Sequence, residues 1–101
     1  MEPKVSFIIV NYNGRIHLKE CFNTINVLNY PKEKLEIIMV DNGSTDGSVE
    51  YVRKNFSRVK IIKNEENLGF AKPNNQGAEV ATGDYLALIN NDMRISSEWL
   101  H

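Results

Sequence analysis

Much of what would place this chain in a simple class is missing from it. A single cysteine, Cys21, cannot close an internal disulfide. That excludes a disulfide-stapled scaffold and points to a reducing, cytoplasmic compartment. No apolar run approaches the roughly 20 residues of a membrane span, and the N-terminus lacks a signal-peptide pattern. Basic residues never gather in a block. The 12 Lys and Arg alternate with 13 Asp and Glu for a net charge of −1, so nucleic acid is not an indicated partner. Neither a Gly-x-Gly-x-x-Gly turn nor a Walker lysine motif is present, which removes the two commonest glycine-rich phosphate cradles. No repeat, low-complexity segment or linker interrupts the 101 residues. With 42% hydrophobic and 25% charged residues, the composition is that of one globular domain or part of one.

What is present is an alternation of two kinds of segment. "VSFIIV" (5–10), "LEIIMV" (35–40), "VKII" (59–62) and "YLALI" (85–89) are short apolar runs without strict alternation, the pattern of buried strands. Between the first two, Leu18, Cys21, Phe22, Ile25 and Leu28 recur at helical spacing, with Asn29 and Pro31 as the stop. Val49, Val52 and Phe56 mark a second helix, capped near Asp46. "NLGFAKPNNQGAEVATG" (67–83) reads as a loop and then a helix, with Pro73 in its first turn and Gly83 just past its last. The order βαβαβαβ predicts an α/β fold: a doubly wound, mainly parallel, Rossmann-like sheet covered on both faces.

Ligands of such sheets bind at the carboxyl ends of the strands. Three strands end there in polar clusters: Asn11-Tyr12-Asn13, Asp41-Asn42-Gly43-Ser44 and Asn90-Asn91-Asp92. Each alone is an ordinary turn. Together on one sheet edge they read as a site. The Asp41 carboxylate can accept a hydrogen bond from a nucleobase imide or a ribose hydroxyl. Tyr12 offers a flat face on which a base can stack. Asp92, beside two amide side chains, is a hard oxygen ligand suited to Mg²⁺ or Mn²⁺, which bind through one or two carboxylates plus substrate phosphates. A phospho-acceptor reading of Asp41, as in receiver domains, lacks the acidic residues expected after the first strand, where "NYNG" stands.

"VSFIIVNYNG", "IIMVDNGSTDGS", "NLGFAKPNNQG" and "GDYLALINNDM" resemble the successive motifs of family 2 glycosyltransferases. These enzymes have the GT-A fold and transfer a sugar from a nucleotide-sugar donor. The resemblance runs from Val5 to Asp92, and its third motif is similar to the rhamnosyltransferase-like branch. It implies that Val10, Asn11 and Tyr12 hold the nucleobase and that Asp41 accepts a hydrogen bond from it. It further implies that Asn75 orders the donor side, that Asn91 lies near the ribose, and that Asp92 binds Mg²⁺ or Mn²⁺. The implied donor is a UDP-, dTDP- or GDP-linked sugar, and the setting is cell-wall or polysaccharide biosynthesis. Two positions depart from the family pattern. Asn90 replaces the first carboxylate of the Asp-x-Asp position, and Lys72-Pro73 replaces smaller residues.

The resemblance also implies that residues 1–101 are the donor-binding part of a longer enzyme, truncated at the C-terminus. In that family the remainder supplies the saccharide or lipid-linked acceptor surface and the general base of an inverting transfer. The full-length protein is then expected to be cytoplasmic and membrane-peripheral. No residue here aligns with that base, and His17 reads as a surface group of the first helix. A non-catalytic nucleotide-binding module and a generic flavodoxin- or receiver-like domain remain the alternatives.

Overall fold

The computed structural model describes residues 3–90. Its elements are β1 (Val5–Asn11), α1 (Arg15–Asn26), a 3-10 turn (Lys32–Lys34), β2 (Leu35–Asn42), α2 (Ser48–Asn55), β3 (Lys60–Asn64), α3 (Ala71–Val80) and β4 (Tyr85–Asn90). The four strands form one sheet in the order β3-β2-β1-β4, and every pairing is parallel. The predicted doubly wound order is therefore the observed one.

The helices divide between the faces of the sheet. On one side α1 buries Leu18, Cys21, Phe22 and Ile25, and α2 buries Val49 and Val52. Both pack with Val5, Phe7, Ile9, Met39, Ala87 and Ile89 in one cluster. Each fully buried Leu, Ile or Phe contributes about 1.5–3 kcal/mol, so Phe22→Ala, at the centre of this cluster, would cost about 3–5 kcal/mol. On the other side α3 covers Ile8, Ile38 and Val40 through Ala78 and Ala81. The helix lies so close that a Cβ on Gly77 would stand 2.5 Å from Ile8 Cγ2.

Several local expectations are corrected. β1 and β2 run on through Asn11 and through Asp41-Asn42, so Asn11 belongs to the strand and not to the turn after it. Parallel pairing of Asn11 with Asp41 satisfies their backbones and carries the strands past their apolar runs. β3 is shifted to 60–64 and also ends in a buried asparagine, Asn64. α1 stops at Asn26, before Asn29. Gly83 is not the residue after α3, which ends at Val80 with Ala81 as its cap. Its N–H donates to Ser6 Oγ at 2.9 Å, and a Cβ would meet Ser6 N at 2.8 Å. β4 is not buried on both faces. Ala87 and Ile89 are buried, whereas Leu86 and Leu88 are 49% and 56% exposed. The reason is geometric: α3 packs over β1 and β2, and β4 is an outer strand.

Candidate functional site

The strand order reverses between β1 and β4, and doubly wound sheets take ligands at the carboxyl ends of the strands at that point. Register sets Val10 beside Asn90 and Asn11 beside Asp41, so the clusters that end β1 and β2 stand on one edge, with the last described residue of β4 beside them.

The clusters do different work. Asn11 and Asp41 are fully buried. Asn11 Nδ2 donates to Asp41 Oδ1 at 2.9 Å and to Ser44 Oγ at 3.2 Å. Ser44 donates its hydroxyl to Asp41 Oδ1 at 2.7 Å and its N–H to Oδ2 at 2.9 Å. Asp41 thus accepts three hydrogen bonds from neutral donors. A carboxylate offers about four lone-pair positions, which leaves Oδ2 room for one more. Tyr12 follows Asn11 and is 52% exposed. The pair Asn11–Asp41 is a floor, and Tyr12 and Asn13 are the exposed part of the β1 cluster.

The loops after β1 and β2 are interlocked above this floor. The Asn13 N–H donates to Ser44 Oγ at 2.8 Å, and the Thr45 N–H donates to Asn13 Oδ1 at 2.8 Å. Asn13 holds φ 51°, a left-handed conformation that asparagine tolerates better than most residues. Asp46 was expected to cap α2 and does so from two residues away: its Oδ1 accepts the Ser48 N–H at 3.0 Å and the Ser48 hydroxyl. Its Oδ2 accepts the Arg15 N–H, the first of α1, at 3.0 Å. Burial pushes the Asp46 carboxyl up, but the bonds from Ser48 and Arg15 outweigh it and hold the group below the usual aspartate value.

A third loop, after β3, is organised by Asn42. Its Nδ2 donates to Asn67 Oδ1 at 3.0 Å and to the Gly69 carbonyl at 2.8 Å, and its Oδ1 accepts the Leu68 N–H at 2.9 Å. Asn64 and Gln76 exchange amide bonds of 2.8 and 3.0 Å, tying this loop to α3. Gly43 permits the loops after β2 and β3 to touch. At φ 89° its Cβ would stand 2.8 Å from Glu66 Cα. Sequence reasoning missed Asn64, Gln76 and the organising role of Asn42. The available signal was that the third strand, like the others, ends in asparagine.

Asn75 is exposed on α3, and it is its neighbour Asn74 that bonds at the start of the helix. Asn74 Nδ2 donates to the Phe70 carbonyl at 3.0 Å. Asn91 and the expected metal ligand Asp92 lie outside the described residues. Among the described residues no group of three or more His, Cys, Asp or Glu could hold a metal ion, and no helix is long and apolar enough to cross a membrane. A depression of about 460 Å³ lies elsewhere, on the outer face of α1 between Ile16 and Val27, and carries none of the residues that converge on the edge.

Strand order and loop placement define the class: a doubly wound α/β domain whose polar loops gather at the switch point, the architecture of the GT-A transferases to which it is structurally similar. The glycosyl transferase family 2 profile matches residues 6–101, and the chain belongs to that family. It is 35% identical to glycosyltransferase AglE of Haloferax volcanii, with 97% of this chain and 33% of that protein aligned. It is 34% identical to a poly(ribitol-phosphate) beta-glucosyltransferase of Bacillus spizizenii over 96% of this chain and 16% of that one. S. aureus TarS 1-349 in complex with UDP superimposes with a TM-score of 0.88 at 30% identity, covering 94% of this chain and 29% of TarS 1-349. Mannosyltransferase PcManGT of Pyrobaculum calidifontis, in complex with GDP-Man and Mn2+, gives 0.86 at 28% identity over 93% of this chain and 29% of that one. The chain therefore spans a third or less of the length of each.

Proposed function

We propose that residues 1–101 are the donor-binding part of a glycosyltransferase that takes a nucleotide-diphosphate sugar. The observation that carries this reading is the exposed Tyr12 standing at the switch point beside the buried Asn11–Asp41–Ser44 floor. A base stacked on Tyr12 would bring its imide N–H toward the remaining acceptor position of Asp41. Uracil and thymine carry such an imide and guanine an equivalent ring N–H, hence a UDP-, dTDP- or GDP-linked donor. Val10 and Asn11 would shape the floor, and Asn75 would flank the donor from α3. Asn91 would lie near the ribose. Asp92 would bind Mg²⁺ or Mn²⁺ together with the diphosphate, whose leaving charge the cation neutralises. The complexes of TarS with UDP and of PcManGT with GDP-Man and Mn2+ support the ligand class.

Transfer itself would need a general base to deprotonate the acceptor hydroxyl as it attacks the anomeric carbon. In this reading that base and the saccharide or lipid-linked acceptor site belong to the rest of a longer polypeptide, which works in the cytoplasm at the membrane periphery.

Titration of the chain with UDP, dTDP and GDP, with and without Mn²⁺, tests the reading by ¹H–¹⁵N NMR. Shifts should concentrate at Tyr12, Asn13 and Ser44, and Mn²⁺ should broaden resonances near the edge more strongly when nucleotide is present. A folded spectrum unmoved by nucleotide at millimolar concentration would overturn it. The chain alone should transfer no sugar. Turnover at roughly 1 s⁻¹ or above would place the base within these residues.

A further inference from the structure

We propose that Asp46 is the positioning residue of the donor site: one carboxylate that starts two helices and thereby fixes the loop carrying Tyr12 against the loop carrying Ser44. The inference rests on the donor-site reading above, and concerns a residue that would not itself touch the donor.

The need arises in α1. The first N–H groups of a helix have no partner within it, and the residue before α1 is Gly14, which has no side chain to offer. The sequence supplies the acceptor from 31 residues away. Asp46 Oδ2 takes the Arg15 N–H at 3.0 Å, while Oδ1 takes the Ser48 N–H at the start of α2, also at 3.0 Å. Arg15 is held a second time, because its guanidinium lies 5.3 Å from the centre of the Tyr51 ring on α2.

Only Tyr12, Asn13 and Gly14 separate the buried end of β1 from Arg15. Asn13 is already bonded through both its N–H and its side-chain oxygen to the facing loop. With Asn11 fixed below by Asp41 and Arg15 fixed above by Asp46, Tyr12 sits on a short bridge pinned at both ends. Its half-exposed ring is then set in place before a ligand arrives, which lowers the ordering cost of stacking.

Asp46→Asn is the direct test, since a carboxamide keeps one acceptor oxygen and can serve only one helix. Three results are expected. Without ligand, the ¹⁵N heteronuclear NOE falls at Tyr12 and Asn13. UDP binds about tenfold more weakly, the size of one lost charged hydrogen bond. Binding of Mn²⁺ with pyrophosphate, which has no base to stack, is unchanged.

Asp84→Ala is the control, because Asp84 accepts the Lys4 N–H at 2.9 Å at the opposite end of the sheet. It should lower stability comparably and leave UDP affinity alone. If Asp46→Asn fails to fold, Arg15→Pro against Arg15→Ala asks the same question from the donor side. Proline is well accepted at the first position of a helix; both variants lose the guanidinium and proline loses the N–H as well, so it should weaken UDP binding beyond the alanine variant. Folded Asp46→Asn with an unchanged NOE at Tyr12, or equal UDP affinity in the two Arg15 variants, overturns the proposal. If the unsubstituted chain binds no UDP, the donor-site reading fails instead, and the ligand-free NOE still decides the role of Asp46.

Discussion

The two ends of the sheet each bury a carboxylate on β2 and bond it to the residue directly across on β1. At the amino end Ser6 Oγ donates to Glu36 Oε1 at 2.7 Å. At the carboxyl end Asn11 Nδ2 donates to Asp41 Oδ1 at 2.9 Å. From there they diverge. Glu36 also takes the Thr82 N–H at 2.9 Å and an ion pair from Lys60 on β3, while the Gly83 N–H closes over Ser6. That end ties β1, β2, β3 and the α3–β4 connection into a plug. Asp41 is met only by neutral donors from the strand end and the loop beside it, and an exposed aromatic follows. The same device closes one end of the fold and shapes an open edge at the other. A buried carboxylate is therefore not in itself a sign of a site; what its surroundings leave exposed decides that.

If this contrast holds, disturbing the amino end changes stability and spares nucleotide binding. Burial pushes the Glu36 carboxyl up, but the bonds from Lys60, Thr82 and Ser6 and the charge of Lys60 outweigh it, lowering it from 4.5 to about 2. A group depressed on folding stabilises the fold above its unfolded value and ceases to as pH falls through its folded value. The contribution, about 3 kcal/mol for a shift of this size, is thus complete above 4.5 and lost toward about pH 2. Glu36→Gln should lower the neutral-pH stability by about 2–3 kcal/mol and flatten that window in urea denaturation curves. A matching loss of UDP affinity would break the comparison.

Gly43→Ala comes next. It combines a left-handed backbone with a Cβ 2.8 Å from Glu66 Cα, and should cost about 2 kcal/mol in thermal unfolding. Because the strain falls between two loops of the carboxyl edge, nucleotide binding should weaken as well, unlike in Glu36→Gln.

Asp41→Asn sharpens the contrast within that edge. Asn11 and Ser44 lose part of their acceptor, so about 1–2 kcal/mol of stability should go, together with about tenfold in UDP affinity by calorimetry. Tyr12→Ala is the smallest change to the fold and the most specific to the site. Stability should stay within about 0.5 kcal/mol, since the ring is half exposed. UDP should bind about fivefold to tenfold more weakly, the low end of a lost base–aromatic stack. Unchanged affinity in Tyr12→Ala would assign the tyrosine to the surface and the edge to turn formation alone.

The alternation of apolar runs with helical spacings was enough to predict the element order, the parallel sheet and the edge on which the Asn11 and Asp41 clusters meet, because those follow from local periodicity and the handedness of crossovers. The family motifs were legible for the same reason, being contiguous in sequence. The division of labour inside the clusters was not. Asn11 and Tyr12 are neighbours, yet one is buried and the other faces solvent, because the sheet covers β1 as far as Asn11 and the chain leaves it at Tyr12. Asp46 reads locally as a cap for the helix that follows it; that it also starts α1 depends on two loops packing together. Nor did the apolar run of β4 reveal that Leu86 and Leu88 lie bare, because exposure depends on where α3 comes to rest. Local patterning by itself determined which elements form and in what order. Tertiary packing alone decided which polar groups are spent on each other and which remain to meet a ligand, because hydrogen-bond partners distant in sequence are chosen only when the loops are brought within about 3 Å of one another.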